Sequence, residues 1–224
     1  MRNSWLGLPV VIIGTGGISK EVKLLIDTIN NKNLFSFEVV GFISDDPERV
    51  GSLFLEHKVL GTDDEISEIS KNYPLLGVII PNGNPIIKKS IFEKLNPIGN
   101  ICFPNIIHPE VSLSASIQQC LGIGNIFTAG VQLTTDISIG SFNLFNLNST
   151  IGHDCKIGNF CVINPGATVS GAVTLNDEIL IGTGANINQG VNLAKNTIIG
   201  SGSVVTKDLD EAGSYVGVPA KRIK

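Results

Sequence analysis

The sequence lacks the features that mark membrane and nucleic-acid-binding proteins. Its net charge is −4 and it contains no block rich in Lys and Arg, which argues against a nucleic acid or an anionic membrane as the principal partner. No segment approaches the roughly eighteen apolar residues of a transmembrane helix. The stretch from Met1 to Trp5 has no signal-peptide pattern and leads into a strand-like run. We therefore expect a cytoplasmic protein.

Cysteine pairs with metal-ligand spacing are also absent. The four cysteines, Cys102, Cys120, Cys155 and Cys161, form no CxxC motif, which disfavours a metal or disulfide role. Cys155 and Cys161 occupy the same position in successive units of the repeat described next. We expect them to be small buried thiols in a reduced protein.

What the sequence does contain is a repeat of six residues between Leu121 and Val205. Every sixth residue is large and apolar, and the residue four positions later is usually small or β-branched. Neither the 3.6-residue period of a helix nor the two-residue period of a strand explains this spacing. The large apolar positions are Leu121, Phe127, Leu133, Ile139, Phe145, Ile151, Ile157, Ile163, Val169, Leu175, Ile181, Ile187, Leu193, Ile199 and Val205.

A six-residue repeat predicts a parallel β-helix, in which short strands joined by tight turns wind round one apolar column. Each large residue, or anchor, should point inward and stack on its equivalent one coil away. Gly and Asn between the anchors suit corners that need unusual backbone angles. A series of hairpins with accidental spacing is the alternative, and fifteen consecutive matches argue against it.

The chain before residue 106 has a different pattern. An apolar run at residues 9–13 ends in Gly14-Thr15-Gly16-Gly17, and apolar residues then recur at helical spacing to about Asn31. Further strands are predicted at 37–43, 77–80 and 100–103, and further helices at 63–71 and 85–95. This alternation predicts a small, Rossmann-like parallel α/β domain, too short for a full dinucleotide fold.

Two features of this domain are candidates for ligand binding. The turn at Gly14, Gly16 and Gly17 would let backbone N–H groups at a helix N-terminus face a phosphate. Because Ser19 stands where a GxGxxG motif has its third Gly, a tight structural turn without a ligand is the alternative. Asp45 and Asp46 end the second strand, where they suit either a ribose or base contact or a solvated turn.

These patterns divide the chain into three parts. Residues 1–105 form the predicted α/β domain, 106–206 the β-helix and 207–224 a C-terminal tail. Val111, Ala115 and Ile117 fit hexads in a different phase, which predicts a capping coil followed by a small insertion near residues 118–120. The six-residue repeat stops after Val205.

One segment of the repeat carries reactive side chains. His153 and Asp154 fall between the inward positions, so both should reach the outside of the coil. A His beside a carboxylate can act as a base whose ring is oriented by the acid. These two residues alone leave open the alternative of a surface His beside a surface Asp with no catalytic role.

Three features together resemble the left-handed β-helix acyltransferases: the hexapeptide run, the segment from Gly152 to Cys155, and the tail Gly217-Val218-Pro219-Ala220-Lys221. With the α/β domain, the chain is similar to the branch that holds the sialic-acid O-acetyltransferase-like proteins and the bacterial nucleotide-aminosugar N-acetyltransferases. The resemblance covers essentially the whole chain. It implies coils of about eighteen residues, a homotrimer with active sites between subunits, and acetyl-CoA in the groove between neighbours.

The resemblance also implies roles for individual residues. His153 would be the general base, Asp154 its orienting acid and Asn146 a polar neighbour of the acceptor sugar. The acetyl-CoA-binding positions would be Gly171, Thr183, Gly200, Ser201, Gly202 and Lys221. The positions that hold the nucleotide-linked sugar would be Gly14, Gly16, Gly17, Asp45, Asp46, Gly83, Asn84 and Lys88, and no metal is implied.

The sequence departs from the family pattern at three positions. Ile18 replaces a His that is frequent after the glycine turn, and Lys88 replaces an Arg that often contacts the nucleotide phosphates. Val162 replaces a His that is frequent nine residues after the catalytic one. The first two departures leave the identity of the nucleotide open, and the third implies altered contacts near the acetyl group.

The expected activity is acetyl-CoA-dependent N-acetylation of the 4-amino group of a UDP-, dTDP- or GDP-linked 4-amino-4,6-dideoxysugar, of the kind used in surface polysaccharide or glycoprotein. The alternatives are O-acetylation of a sialic acid or other sugar, and a non-catalytic β-helix binding or scaffold protein. A metal-dependent hexapeptide enzyme would need several His ligands, and the repeat contains only His153. The short α/β domain disfavours an NAD-dependent oxidoreductase.

Overall fold

The computed structural model describes residues 7–33 and 36–224. The chain forms two compact units: Met1–Asn82 with Ile87–Pro109, and Gly83–Ile86 with Glu110–Lys224. The expectations for Met1 to Trp5 lie outside the described residues. Within the described ranges, no helix is both long enough and apolar enough to cross a membrane.

The first unit contains a mostly parallel sheet whose strands alternate with helices, as predicted. Its elements are β1 (Leu8–Ile13), α1 (Gly17–Asn33), β2 (Phe37–Ile43), a 3₁₀ turn (Pro47–Arg49), β3 (Leu53–Phe54), β4 (His57–Gly61), a second 3₁₀ turn (Asp63–Glu65), α2 (Ile66–Ser70), β5 (Leu76–Ile79), α3 (Pro85–Leu95), β6 (Ile101–Cys102) and β7 (Ile106–Ile107). Six of the strands form a sheet in the order β3-β4-β2-β1-β5-β6. The first two residues of α3 are assigned to the second unit.

The centre of this sheet explains the apolar run at residues 9–13. Strand β1 pairs in parallel with both β2 and β5, and Val10, Val11 and Ile12 are fully buried. A strand covered on both faces has no solvent side, so it reads as a continuous apolar run. Helix α1 buries Val22 and Ile26, which lie on the face that the helical spacing predicted.

The second unit is built from very short strands. Its elements are α4 (Ala115–Gln119), β8 (Ile126–Phe127), β9 (Gln132–Leu133), β10 (Ser138–Ile139), β11 (Leu144–Phe145), β12 (Thr150–Ile151), β13 (Lys156–Ile157), β14 (Val162–Ile163), β15 (Thr168–Val169), β16 (Thr174–Leu175), β17 (Leu180–Ile181), β18 (Asn186–Ile187), β19 (Asn192–Leu193), β20 (Thr197–Ile199), β21 (Val204–Val205), β22 (Gly213–Val216) and β23 (Lys221–Arg222).

These strands form the coils of a β-helix. From β8 to β18, each pairs in parallel with the strand eighteen residues further on, as Ile139 does with Ile157 and Ile157 with Leu175. One coil therefore contains three hexads. The anchors are buried except Leu121 and Leu133, which are partly exposed, and the thiols of Cys155 and Cys161 are buried as predicted. The predicted left-handed β-helix is confirmed.

The corners of the coil also recur every six residues. The third residue after each anchor from Leu121 to Ile199 has a positive φ, which is the left-handed conformation. The residues at these corners are Gly124, Gly130, Asp136, Phe142, Asn148, Asp154, Phe160, Gly166, Ala172, Glu178, Gly184, Gly190, Asn196 and Gly202. Gly, Asn and Asp tolerate this conformation best, whereas other side chains cost roughly 1–2 kcal/mol there.

Two asparagines inside the coil were not anticipated. The sequence pattern predicts small or β-branched residues four positions after an anchor, yet Asn125 and Asn143 occupy that position and are fully buried. The Asn143 N–H donates to Asn125 Oδ1 at 2.8 Å, and the Cys161 N–H donates to Asn143 Oδ1 at 2.7 Å. The interior accepts these amides because they are hydrogen-bonded from coil to coil.

The two ends of the repeat differ from the sequence prediction. The expected capping coil through Ala115 and Ile117 is wrong, because Ser114 accepts the Ile117 N–H at 3.4 Å and caps helix α4 over these residues. After Val205 the six-residue period ends, but the chain continues the ladder. Leu209 bridges to Leu193, and Tyr215 pairs with Ile199.

Ser149 provides a test of packing inside the coil. Among the described residues, its hydroxyl is buried without a hydrogen-bond partner, and a buried unsatisfied polar group costs about 1–3 kcal/mol. We expect Ser149→Ala to leave the free energy of unfolding unchanged or raise it by about 1 kcal/mol, measured by urea denaturation.

Ser203 is the matched control for this substitution. It occupies the same repeat position three coils later and is buried, but its hydroxyl accepts the Gly217 N–H at 3.0 Å. Ser203→Ala should therefore lower the free energy of unfolding by about 1 kcal/mol. Equal destabilisation by both substitutions would show that the Ser149 hydroxyl is satisfied in solution.

Candidate active site

His153 and Asp154 occupy a corner between β12 and β13. Their side chains are 53% and 63% exposed, and His153 Nδ1 lies 2.7 Å from Asp154 Oδ2. Asp154 has the positive φ of a corner residue, 59°, which places its carboxylate beside the preceding ring. Since an ionised carboxylate only accepts hydrogen bonds, Nδ1 carries the proton and Nε2 is the basic nitrogen. The pair can therefore act as an oriented general base that solvent reaches.

Gly171 lies against the His153 ring one coil later. The Ala172 N–H donates to the His153 carbonyl at 2.7 Å, which joins the two corners. A Cβ at residue 171 would lie 2.6 Å from both Cε1 and Nε2 of His153, closer than real Cβ contacts come. A glycine at this position is therefore necessary for the observed ring orientation, and His153 and Gly171 are brought together.

Thr183 and the turn from Gly200 to Gly202 lie on a different corner of the coil. The Gly202 N–H donates to the Thr183 carbonyl at 2.9 Å, and the Gly184 N–H donates to the Pro165 carbonyl at 3.0 Å. These backbone hydrogen bonds form a ladder along one corner of the coil, called here the Thr183 ladder, and residues 153 and 171 are not part of it. The predicted acetyl-CoA residues of one chain are therefore divided between two corners.

The tail packs beside the second of these corners. The Gly200 N–H donates to the Tyr215 carbonyl at 2.9 Å, and the Ala220 N–H donates to the Val204 carbonyl at 2.7 Å. Lys221 is exposed and pairs with Val216 in the antiparallel ladder of β22 and β23. The structure thus brings Lys221 to the same end of the coil as the Gly200–Gly202 turn.

Asn146 is turned toward the backbone. It is 8% exposed, and its Oδ1 accepts the N–H of Leu147 at 2.8 Å. Leu147 belongs to the same corner ladder as Pro165 and Thr183, since its carbonyl accepts the Gly166 N–H at 2.9 Å. Contact between Asn146 and an acceptor sugar stays a prediction.

The glycine turn of the first unit has the predicted position. It follows β1 and leads into α1, which begins at Gly17, and the Gly14 N–H donates to the Ile43 carbonyl at the end of β2 at 2.7 Å. Gly14 has a φ of +93°, whereas a Cβ at Gly16 or Gly17 would meet nothing within 4 Å. The backbone of the turn is thus held in place at Gly14, and no other atoms of the described residues crowd the space beside Gly16 and Gly17.

The two acids after β2 have different surroundings. Both are exposed, but Asp46 Oδ1 accepts the Glu48 N–H at 3.0 Å and caps the 3₁₀ turn Pro47–Arg49. Asp46 thus has a structural role at this turn, and a ribose or base contact of Asp45 and Asp46 stays a prediction.

The remaining predicted sugar-nucleotide residues lie near the start of α3. Among the described residues, a Cβ at Gly83 would meet nothing within 4 Å. Asn84 Oδ1 accepts the Ile86 N–H at 2.9 Å and so caps the helix. Lys88 is only 1% exposed, which argues against the predicted phosphate contact. Arg49, which no sequence motif marks, donates to Thr15 Oγ1 in the glycine turn and lies over the Phe54 ring.

Within the described residues there is no group of three or more His, Cys, Asp or Glu side chains that could hold an ion. The His-Asp pair and the open glycine turn are therefore the features on which a chemical function can be argued.

Comparisons with known proteins agree with this architecture. Residues 9–95 match the family model described as the PglD N-terminal domain. No curated protein sequence matches the chain. A variant of the perosamine N-acetyltransferase from Caulobacter crescentus, solved with CoA and GDP-perosamine, is 27% identical with a TM-score of 0.85, and the match covers 96% of this chain and 97% of that one.

Two further solved structures match over a similar extent. The acetyltransferase domain of PglB from Neisseria gonorrhoeae, in complex with acetyl coenzyme A, is 26% identical with a TM-score of 0.83, covering 97% of this chain and all of that one (100%). WeeI from Acinetobacter baumannii is 27% identical with a TM-score of 0.80, covering 96% and 100%. The matches include both units of the chain.

The buried cysteines of the β-helix, Cys155 and Cys161, provide a test of the packing around the His-Asp pair. Cys155 is fully buried, and its thiol donates to the Ser170 carbonyl at 3.1 Å, so burial raises the pKa of Cys155 above its ordinary value. A raised pKa lowers the thiolate fraction and with it the reactivity. With Ellman's reagent at pH 8 we expect fast reaction at the exposed Cys120, and reaction of Cys155 and Cys161 only after unfolding.

Cys120→Ser is the control and should remove the fast phase while leaving the thiols released by denaturant unchanged. Rapid labelling of Cys155 in the folded protein, identified by peptide mass spectrometry, would contradict the structure.

Proposed function

We propose that this chain, a hexapeptide-repeat acyltransferase of the sugar N-acetyltransferase branch, transfers the acetyl group of acetyl-CoA to the 4-amino group of a nucleotide-linked 4-amino-4,6-dideoxysugar. The observation that carries the proposal is the exposed His153–Asp154 pair, held by a 2.7 Å contact on the wall of the β-helix. The solved perosamine N-acetyltransferase and PglB acetyltransferase domain, which contain CoA or acetyl-CoA, support the choice of donor.

The chemistry follows from the orientation of the imidazole. His153 Nε2 accepts a proton as the sugar amine attacks the thioester carbonyl, so that a C–N bond forms and the C–S bond then breaks. The resulting imidazolium is stabilised by the Asp154 carboxylate and returns the proton to the CoA thiolate. A backbone N–H near Gly171 stabilises the oxyanion of the tetrahedral intermediate. This direct transfer requires no covalent enzyme intermediate.

The acetyl-CoA site is proposed to lie between subunits of a homotrimer. Thr183 and Gly200–Gly202 lie on a corner ladder that excludes His153 and Gly171. One ligand that contacts both sets in a single chain would have to pass round the coil. Contact with the base of one subunit and the Thr183 corner of its neighbour removes this difficulty.

Replacement of the base tests the proposal directly. General-base catalysis contributes about 10²–10⁴-fold, so His153→Ala should lower kcat by that factor. The affinity for acetyl-CoA, measured by calorimetry, should change little because the imidazole acts on the acceptor amine. Lys156→Ala, at an exposed position on the next strand, is the control and should keep full activity.

The assay is release of free CoA with UDP-, dTDP- and GDP-linked amino sugars and with sialic acid. Turnover of an amino sugar that depends on His153 would support N-acetylation. Turnover of sialic acid alone would identify an O-acetyltransferase, and no thiol release with any acceptor would contradict an acyltransferase role. Unchanged kcat in His153→Ala would remove His153 from the mechanism.

Gly171 provides a second test, because it acts through the position of the ring. In Gly171→Ala the new Cβ would lie 2.6 Å from His153 Nε2 and must displace the imidazole. A misplacement of about 1 Å can cost roughly 10²-fold in rate, and we expect a loss of kcat on that order. Circular dichroism melts should match the unsubstituted protein. Full activity would show that the ring does not rest against Gly171 during turnover.

A further inference from the structure

The predicted phosphate-binding cation of the first unit is not accessible. Lys88 was expected to contact the nucleotide phosphates, but it is 1% exposed. A diphosphate carries two to three negative charges, and its binding normally uses charge-assisted hydrogen bonds from Arg or Lys. An accessible cation beside the glycine turn is therefore a better candidate for this role.

Arg49 is held in place beside that turn. Its backbone N–H donates to the Asp46 carbonyl at 3.1 Å, and its backbone carbonyl accepts the Ser52 N–H at 3.0 Å. The Asp46 side chain caps the same 3₁₀ turn, so the backbone at Arg49 is fixed from both sides. This cap gives Asp46 a structural role in the turn that follows β2.

The guanidinium of Arg49 reaches the middle of the glycine turn. Its Nη1 donates to Thr15 Oγ1, and Thr15 separates Gly14 from Gly16. The guanidinium carbon also lies 5.7 Å from the centre of the Phe54 ring, within the range of a cation–π contact. Lys20, in the first turns of α1, places its Nζ 5.8 Å from the centre of the same ring.

We propose that Arg49, with Lys20 as its partner, is the cation that binds the diphosphate of the nucleotide-linked substrate at the glycine turn. This inference rests on the proposed function and adds to it the residues that recognise the phosphates. Two exposed cations converge on the Phe54 ring, one of them bonded to Thr15, and a Cβ at the neighbouring Gly16 or at Gly17 would meet nothing within 4 Å.

Arginine suits this position better than lysine would. Its planar guanidinium presents several N–H groups in a fixed fork, so one can bond Thr15 while others bond phosphate oxygens. The Phe54 ring supports the side chain and reduces the rotamer freedom that is lost on binding. Phe54 is therefore a positioning residue and does not need to touch the ligand.

The test is the affinity of Arg49→Gln for UDP, GDP and dTDP, compared with the affinity for the corresponding nucleosides. A hydrogen bond to a charged group corresponds to about 10- to 100-fold in affinity, so the variant should bind the preferred diphosphate more weakly by that factor. Nucleoside binding should be unchanged, because a nucleoside carries no phosphate. In turnover assays the KM of the nucleotide sugar should rise while kcat and the KM of acetyl-CoA stay constant.

Three further variants sharpen the test. Arg49→Lys keeps the charge without the fork and should be intermediate, and Phe54→Leu should weaken diphosphate binding less than Arg49→Gln does. Lys71→Gln is the matched control: this exposed cation follows α2 and pairs with Glu68, at the end of α2 that leads into the amino end of β5. It should bind the diphosphates normally.

The outcomes separate this proposal from the one on which it rests. Unchanged diphosphate affinity in Arg49→Gln, with normal turnover of an amino-sugar nucleotide, would overturn the role of Arg49 and leave the enzyme assignment intact. Equal weakening of nucleoside and diphosphate binding would show a base contact or a structural role and would also overturn it. Absence of any nucleotide binding to the unsubstituted protein would overturn both.

Discussion

The second unit depends on one packing constraint: an apolar side chain must enter the column at every sixth residue and stack on its equivalent eighteen residues later. Burial of each large aliphatic side chain contributes about 1.5–3 kcal/mol, which is set against the cost of the corners. Three residues after each anchor the chain must adopt a positive φ. Where Phe142 and Phe160 occupy such corners, their rings stack with centres 5.3 Å apart, which offsets part of the strain.

The same constraint places the His-Asp pair on the outer wall. His153 and Asp154 lie at a corner outside the column and are more than half exposed, while Cys155, the next residue, is buried. Equivalent corner residues stack from coil to coil, so the environment of His153 is set by residue 171. A glycine there leaves room for the imidazole, whereas a Cβ would lie 2.6 Å from Nε2. A catalytic role for His153 thus requires a particular residue eighteen positions later.

In the first unit, the carboxyl ends of β1 and β2 bring together residues that are far apart in sequence. Gly14 is fixed by a hydrogen bond to Ile43, and Arg49 reaches Thr15 from the turn after β2. Asp46, which the sequence pattern made a candidate ligand, caps that turn. Short polar residues after a strand serve turns and ligands equally well, so residue type alone could not distinguish the two roles.

The sequence by itself determined the β-helix, the small parallel α/β domain and the position of the His-Asp pair on the outer wall. These follow from one-dimensional periods, because the period of a repeat decides which side chains point inward. Tertiary structure alone decided that α4 replaces a capping coil, and that Lys88 is buried while Arg49 is exposed. These outcomes depend on contacts between residues distant in the chain, and no local pattern of residue types encodes them.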